Sequence, residues 1–301
     1  MRTGFFQKAV ELEKQLNHKN IIIHNSLQTN GLLLDDKWCE FFRQNDFTIG
    51  LSLDGPDHLH DENRVYKDDR KTFEIVLEAA ELLKRHGVYF DILTVVTDNT
   101  CNYPGELYEF YKNHGFTHVH LIPCLDEIKG KSFAPDAKHY GEFLNGFFSA
   151  WFEDFKKGYR MDVRFFNNLL MILMGQYPEQ CGMMGECSCY MVVEADGSVY
   201  PCDFYCEDRY LLGEVSEGFT ALRTKEKAEA FVSESRYDLK ECLTCPYFRL
   251  CRGGCRRYRE PFVEQRPGKF VLCEAYKIFF GKHLTDLRRL AAYILRINNG
   301  L

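Results

Sequence analysis

"CLTCPYFRLCRGGC" (residues 242–255) sets four cysteines at C-x2-C-x5-C-x3-C spacing. A C-x2-C pair brings two thiolates to one centre, because the two residues between them turn tightly. Gly253 and Gly254, just ahead of Cys255, open backbone conformations closed to other residues. Free structural cysteines do not explain such a run; it reads as a metal or iron–sulfur site. From spacing alone, zinc in two all-cysteine sites and a pair of iron–sulfur clusters both fit.

The surrounding chain extends the pattern. Of thirteen cysteines, Cys39, Cys101 and Cys124 are scattered; the other ten fall between Cys181 and Cys273, a span without histidine. In a reducing compartment cysteines are thiols or ligands rather than disulfides, and this density without histidine points to all-thiolate coordination. "CGMMGECSCYMVVEADGSVYPCDFY" (181–205) holds Cys181, Cys187, Cys189 and Cys202, with Cys206 next. Within it, "YMVVEADGSVYPC" predicts a β-hairpin turning at Asp196-Gly197. The hairpin brings sequence-distant thiols together. Arg249, Arg252, Arg256, Arg257 and Arg259 form a basic lining that would balance the negative charge of a thiolate-held centre.

Upstream of residue 175 the periodicity alternates. "NIIIHNSLQTNG" (20–31), "FTIGLSLDGP" (47–56), "GVYFDILTVVT" (87–97) and "THVHLIPCLDE" (117–127) read as four strands. Helices are predicted over 4–17, 35–45, 70–86 and 103–115, then over 136–158 and 165–175. Near-continuous apolar strands alternating with helices imply a parallel sheet covered by helices. Its ligand edge is then the strands' carboxyl ends: "SLQTNG" (26–31), "SLDG" (52–55), "TDNT" (97–100) and "PCLDE" (123–127). Four strands do not close a barrel and leave one edge and a helix face uncovered. The domain expectation is 1–175 and 176–301.

Composition bounds the function. With 45% hydrophobic and 27% charged residues over 301 positions, the chain is a soluble globular protein. A net charge of −6 argues against a general nucleic-acid binder, and no stretch has the length of a membrane span. The amphipathic "MRTGFFQKAVELEKQL" start is not a signal peptide, which gives a cytoplasmic expectation.

Taken together, "CGMMGEC", "DGSVYPCDFY" and "CLTCPYFRLCRGGC" with a later cysteine resemble the SPASM domain of radical S-adenosylmethionine (SAM) enzymes. "NSLQTNG", "GLSLDGP" and "YPCDFY" are similar, more closely, to anaerobic sulfatase-maturating enzymes. The resemblance covers essentially the whole chain. It implies an α/β fold: an incomplete parallel (β/α) radical SAM barrel, its last four strands, followed by a cysteine-rich SPASM domain with a hairpin and C-terminal helix. It implies oxidation of a sulfatase cysteine or serine to Cα-formylglycine. By the same resemblance, one auxiliary [4Fe-4S] cluster takes Cys181, Cys187, Cys202 and Cys255, with Cys189 an alternative to Cys187. A second takes Cys242, Cys245, Cys251 and Cys273. Asp203 in "PCDFY" is the implied proton acceptor; Ser52 and Arg64 match positions holding the SAM carboxylate, and Leu125 a backbone contact to adenine. The implied partners are a sulfatase polypeptide and an electron donor such as flavodoxin or ferredoxin, with neither nucleic acid nor membrane.

One family element does not occur. Radical SAM enzymes hold the SAM-cleaving cluster with C-x3-C-x2-C, and no such triplet exists in these 301 residues. The Gly-Gly-Glu-Pro segment is absent as well. The expectation is an N-terminally shortened chain, lacking on the order of 60 residues, or two βα units. As written it would keep the auxiliary clusters but not cleave SAM, which would need the third cluster of a full-length form. The competing expectation is a non-catalytic iron–sulfur or zinc module for peptide binding or electron transfer.

Overall fold

A computed structural model describes residues 3–125, 132–236, 240–260 and 268–298. It resolves into two compact units, residues 1–135 with 146–164, and residues 136–145 with 165–301.

In the first unit, α1 (Thr3–Leu16) leads to β1 (Ser26–Thr29), α2 (Asp36–Gln44), β2 (Thr48–Ser52), α3 (Asp57–Asn63), α4 (Phe73–His86) and β3 (Phe90–Val96). Then come α5 (Pro104–Asn113), β4 (His118–Pro123), α6 (Ala137–Lys156), of which the residues from 146 onward belong to this unit, and β5 (Asp162–Val163). The five strands lie in the order β1-β2-β3-β4-β5, and every neighbouring pair is parallel. An unbroken sequential order is that of a barrel wall; a doubly wound sheet would reverse at a switch point. Ile49, Leu51, Ile92, Val96, Val119 and Leu121 are buried on the strands, beneath Ala80, Leu83 and Leu107 of the helices. α2 packs through Trp38, Phe41 and Phe42, which meet Phe47 and Phe6 edge-on or tilted.

Three expectations change here. There is a fifth strand, two residues long, too short to leave a periodic signal. The first strand starts at Ser26 rather than Asn20: the Asn17 side chain donates to the Ile21 carbonyl at 2.7 Å and accepts its N–H at 2.8 Å. That clamp diverts Ile21, Ile22 and Ile23, all exposed, before the ladder begins. α4 starts at Phe73 rather than Arg70, because Asp61 Oδ1 accepts the Thr72 and Phe73 N–H groups and fixes its first turn.

The second unit contains α7 (Arg164–Leu173), β6 (Val192–Val193), β7 (Ser198–Tyr200), β8 (Gly213–Glu214), α8 (Phe219–Arg223) and α9 (Glu226–Ser233). α10 (Lys240–Leu243), α11 (Phe248–Cys251) and α12 (Cys273–Asn298) follow. The predicted hairpin is present as β6 and β7, antiparallel, with Gly197 at φ 91° in its turn and Asp196 Oδ1 accepting the Ser198 N–H at 2.9 Å. A third strand, β8, extends it to order β6-β7-β8. Phe165, Phe166 and Phe279 stack between α7 and α12. Among the described residues no helix is long and apolar enough to cross a membrane.

Candidate metal centres and cofactor edge

Most of the ten clustered cysteines sit on short helical turns or in loops held by specific ties, and Cys273 opens α12. Asn168 of α7, itself buried, accepts the Gln180 N–H at 2.9 Å and so fixes the approach to Cys181. Gly182 then passes so close to Cys255 that a Cβ there would lie 3.2 Å from the Cys255 Cβ. Cys187 donates its N–H to the Ser235 hydroxyl at 2.8 Å, just past the end of α9. α11 ends on Arg252 at φ 50°, followed by Gly253 at 85° and Gly254 at 68°, three left-handed residues in a row. They turn the chain back between Cys251 and Cys255. Gly254 is packed as well as twisted: a Cβ would meet the Phe270 ring at 2.6 Å.

The thiols influence one another in two groups. Burial pushes Cys181 up to about 11, with Cys255, Cys187 and Asp203 adding to it. Burial likewise raises Cys255, with Cys187 adding. Cys187 packs against the apolar group of Cys202, Tyr205 and Phe231. In the other group, burial lifts Cys251 to about 12, and Cys273, Cys242 and Cys245 add to it. Burial raises Cys273 too, opposed by Lys277 and Lys269. Burial favours the protonated form of Cys187, Cys255, Cys251 and Cys273, so a metal entering either group must displace protons from them.

Cys189 is placed apart. It is buried in a separate apolar group with Val199, Leu212, Leu222 and Ala228. Cys206 faces the Cys202 carbonyl at 3.8 Å.

The five arginines are not equivalent. Arg256 and Arg259 are 1% exposed, and both lower the Cys187 thiol against the effect of burial. Arg256 donates to the Phe231 carbonyl at 2.8 Å and lies 4.5 Å over the Phe231 ring; Arg259 donates to the Ser235 carbonyl at 2.5 Å. Both cations thereby meet the carboxyl end of α9 as well as the thiols. Arg257 pairs with Glu260 at 2.9 Å, and Arg252 reaches the Met183 carbonyl at 3.4 Å.

Asp203 follows Cys202 directly. Its Oδ1 accepts the Phe204 N–H at 3.1 Å and the Tyr190 hydroxyl, and lies 3.2 Å from the Cys202 sulfur. Among the described residues its Oδ2 has no hydrogen-bond partner.

In the first unit, Ser52 ends β2 and the half-buried Leu125 follows β4, so both lie on the carboxyl edge of the sheet. Arg64 reaches that edge through Asp54, two residues past β2: Nε to Oδ2 at 2.5 Å and Nη2 to Oδ1 at 3.1 Å. Asp54 also accepts the Val95 N–H at 2.8 Å. Its own N–H donates to His60 Nδ1 at 3.2 Å, which leaves Nε2–H to face the Thr72 hydroxyl at 3.1 Å; that hydroxyl donates to the Arg64 carbonyl at 2.6 Å. The Leu125 carbonyl is 3.7 Å from the Cys124 sulfur. Asp126 and Glu127 of the fourth loop lie outside the described residues.

Sequence reasoning did not single out Asp54, Tyr190 or Gly182. Asp54 stood within "SLDGP" as a turn residue, and nothing in spacing marks a tyrosine that reaches across a hairpin.

The donor chemistry suits iron–sulfur ligation: eight thiols in two groups, no imidazole among them, with buried guanidinium groups beside one group and lysines beside the other. Among the described residues, no three His, Cys, Asp or Glu side chains stand close enough to hold a single metal ion.

Comparison with known proteins agrees with this donor set. The Radical SAM superfamily profile matches residues 2–114, and that of the SPASM iron–sulfur cluster-binding domain matches 181–246. A cysteine-type anaerobic sulfatase-maturating enzyme of Clostridium perfringens is 42% identical over 281 residues, 92% of this chain and 76% of the relative. A serine-type enzyme of Bacteroides thetaiotaomicron is 32% identical over 299 residues, 92% of this chain and 71% of the relative. The solved structure of native anSMEcpe with bound AdoMet and Cp18Cys peptide superimposes with a TM-score of 0.94 at 41% identity, covering 97% of this chain and 82% of that one. With its parallel barrel wall, its cysteine-rich second unit and relatives of this closeness, the chain belongs to the anaerobic sulfatase-maturating enzymes, radical SAM oxidoreductases that carry a SPASM iron–sulfur domain.

Proposed function

We propose that this chain serves the oxidation of a sulfatase cysteine to Cα-formylglycine, and that Asp203 is the residue that takes the substrate proton. The observation that carries this reading is the position of Asp203, one residue from Cys202 at the edge of a four-thiol group, with Oδ2 uncommitted among the described residues. A proton acceptor needs a carboxylate oxygen within hydrogen-bond reach of the substrate, and Oδ2 supplies one. The cysteine-type relative has the higher identity of the two types compared, which favours cysteine over serine as the target.

The reaction takes one hydrogen atom, one proton and one electron from the target cysteine, which leaves a thioaldehyde; water then exchanges its sulfur for oxygen, releasing hydrogen sulfide and giving the aldehyde. In a full-length form, SAM with a third cluster, whose C-x3-C-x2-C ligands do not occur in these 301 residues, would supply the hydrogen-abstracting radical, and the auxiliary clusters would supply a path for the electron. This chain's residues do the rest. Cys181, Cys187, Cys202 and Cys255 would hold one auxiliary cluster, and Cys242, Cys245, Cys251 and Cys273 the other. Cys187 is preferred to Cys189, whose thiol is buried in a different apolar group. Arg64, held by Asp54, and Ser52 would bind the SAM carboxylate, with the Leu125 backbone beside the adenine. Residues 1–175 would form the radical SAM part and 176–301 the SPASM part, working in the cytoplasm with a flavodoxin- or ferredoxin-type electron donor.

The test is anaerobic reconstitution with iron and sulfide, followed by analysis and EPR with a cysteine-bearing sulfatase peptide. About eight iron and eight sulfide per chain are expected, with one cluster signal shifted by the peptide. Zinc without sulfide, or a signal indifferent to every sulfatase peptide, overturns the reading.

A further inference from the structure

We propose that Tyr190 is a positioning residue of the first four-thiol group, its hydroxyl bridging the Asp203 carboxylate and the Cys202 sulfur. This rests on the reading of Cys202 as a cluster ligand and of Asp203 as the proton acceptor.

Tyr190 stands two residues before β6, and Cys202 two residues after β7. The hairpin register, Val192 opposite Tyr200, therefore brings the two ends to one corner. There the Tyr190 hydroxyl hydrogen-bonds Asp203 Oδ1, lies 3.4 Å from Cys202 Sγ, and accepts the Asp203 N–H at 3.2 Å. A phenol has one proton to give. Asp203 Oδ1 accepts that proton, and Cys202 Sγ is the other acceptor within its reach.

The bridge matters most once iron is bound. The Cys202 sulfur then has no proton and only accepts, and the carboxylate beside it at 3.2 Å also only accepts. Two anionic groups at that distance repel unless a donor lies between them. Tyr190 is such a donor, and it engages Oδ1 while Oδ2 has no hydrogen-bond partner among the described residues. A hydrogen bond to a ligand sulfur also stabilises the reduced cluster, since such bonds are among the determinants of cluster potential.

The experiment uses the reconstituted 301-residue chain, iron and sulfide analysis, and an EPR-monitored redox titration that resolves both clusters. Tyr190→Phe should keep the full iron and sulfide content and move one midpoint to lower potential, leaving the other in place. Asp203→Asn, which removes a negative charge at the same corner, should move that same midpoint upward. Cys202→Ala should lose about half of the iron. If Cys202→Ala keeps all its iron, the ligand reading of Cys202 fails, and the bridge with it. If Cys202→Ala loses half but Tyr190→Phe leaves both midpoints unmoved or shifts them equally, the bridge alone is overturned. Iron loss in Tyr190→Phe overturns it too, because a positioning hydroxyl leaves the four thiols in place.

Discussion

Cys187 and Cys189 are two residues apart, yet their side chains enter different apolar groups, Cys187 beside Cys202 and Cys189 beneath β7 with Val199 and Leu212. That difference yields a paired prediction. Cys187→Ala should lose about half the iron bound by the reconstituted chain. Cys189→Ala should keep it all and give up about 1 kcal/mol of stability, the order expected for deleting one buried heavy atom. Iron analysis and denaturant unfolding of the two variants check it, and equal iron loss in both would count against the separation. At this scale the sequence is legible where chemistry lies in spacing. The thiols of 242–255 announce themselves because a C-x2-C pair has few other uses. Asp54 and Tyr190 do not, since each is selected by a neighbour far away in the chain: Arg64 ten residues on, and Cys202 across the hairpin. The five arginines look alike in sequence, and only packing against Phe231 and Ser235 singles out Arg256 and Arg259.

The strands were legible where alternation or apolar runs lasted for five residues or more, as in β2, β3 and β4. β5, β6 and β8, two residues each, are made by their neighbours and carry no period of their own. The hairpin was recognised from its Asp-Gly turn rather than from its strands. β4 also carries a feature no period reveals. His120 sits on it with Nε2 3.5 Å from Asp91 Oδ2 on β3 and 3.4 Å from an Arg164 nitrogen. Burial lowers its pKa from 6.5 to about 4, Arg164 adds to the drop, and Asp91 opposes it. Burial lowers His60 as well, opposed by Asp54 and reinforced by Arg64. Both rings are therefore harder to protonate in the folded chain than in the unfolded one. Between about 4 and 6.5 the unfolded state binds more protons, so stability rises with pH across that window. It should be complete above 6.5 and decline as the pH is lowered towards 4. Denaturant unfolding between pH 7 and pH 4 measures this, and His120→Asn should flatten part of the slope. A slope unchanged in that variant would assign the acid sensitivity elsewhere.

The two units differ in what holds them together. In the first, five parallel strands in sequential order bury a continuous apolar layer under α2, α4 and α5, helices of nine to fourteen residues. That architecture follows from hydrophobic patterning alone, which is why it could be read before any cysteine was considered. In the second, α7 and α12 carry an aromatic core, but Cys242 and Cys251 sit on helices of four residues, Cys181 on a three-residue helical turn, and the hairpin between Cys189 and Cys202 has strands of two and three. Helices and hairpins that short do not persist by themselves. Their order must come from tertiary ties such as Cys187 to Ser235, and, under the proposed function, from the clusters that the thiols would hold. Removing iron should therefore act locally. In hydrogen-exchange mass spectrometry of the reconstituted chain, chelation under anaerobic conditions should raise exchange over residues 181–206 and 242–259. Exchange over β1 to β4 should stay as it was, because nothing in that sheet depends on a thiol ligand. Unchanged protection at 242–259 after complete iron loss would mean that the left-handed turn at 252–254 and its packing on Phe270 suffice to hold the segment. A rise in exchange along β2 and β3 would mean instead that the metal centres support the barrel wall, and the prediction of a local effect would fail.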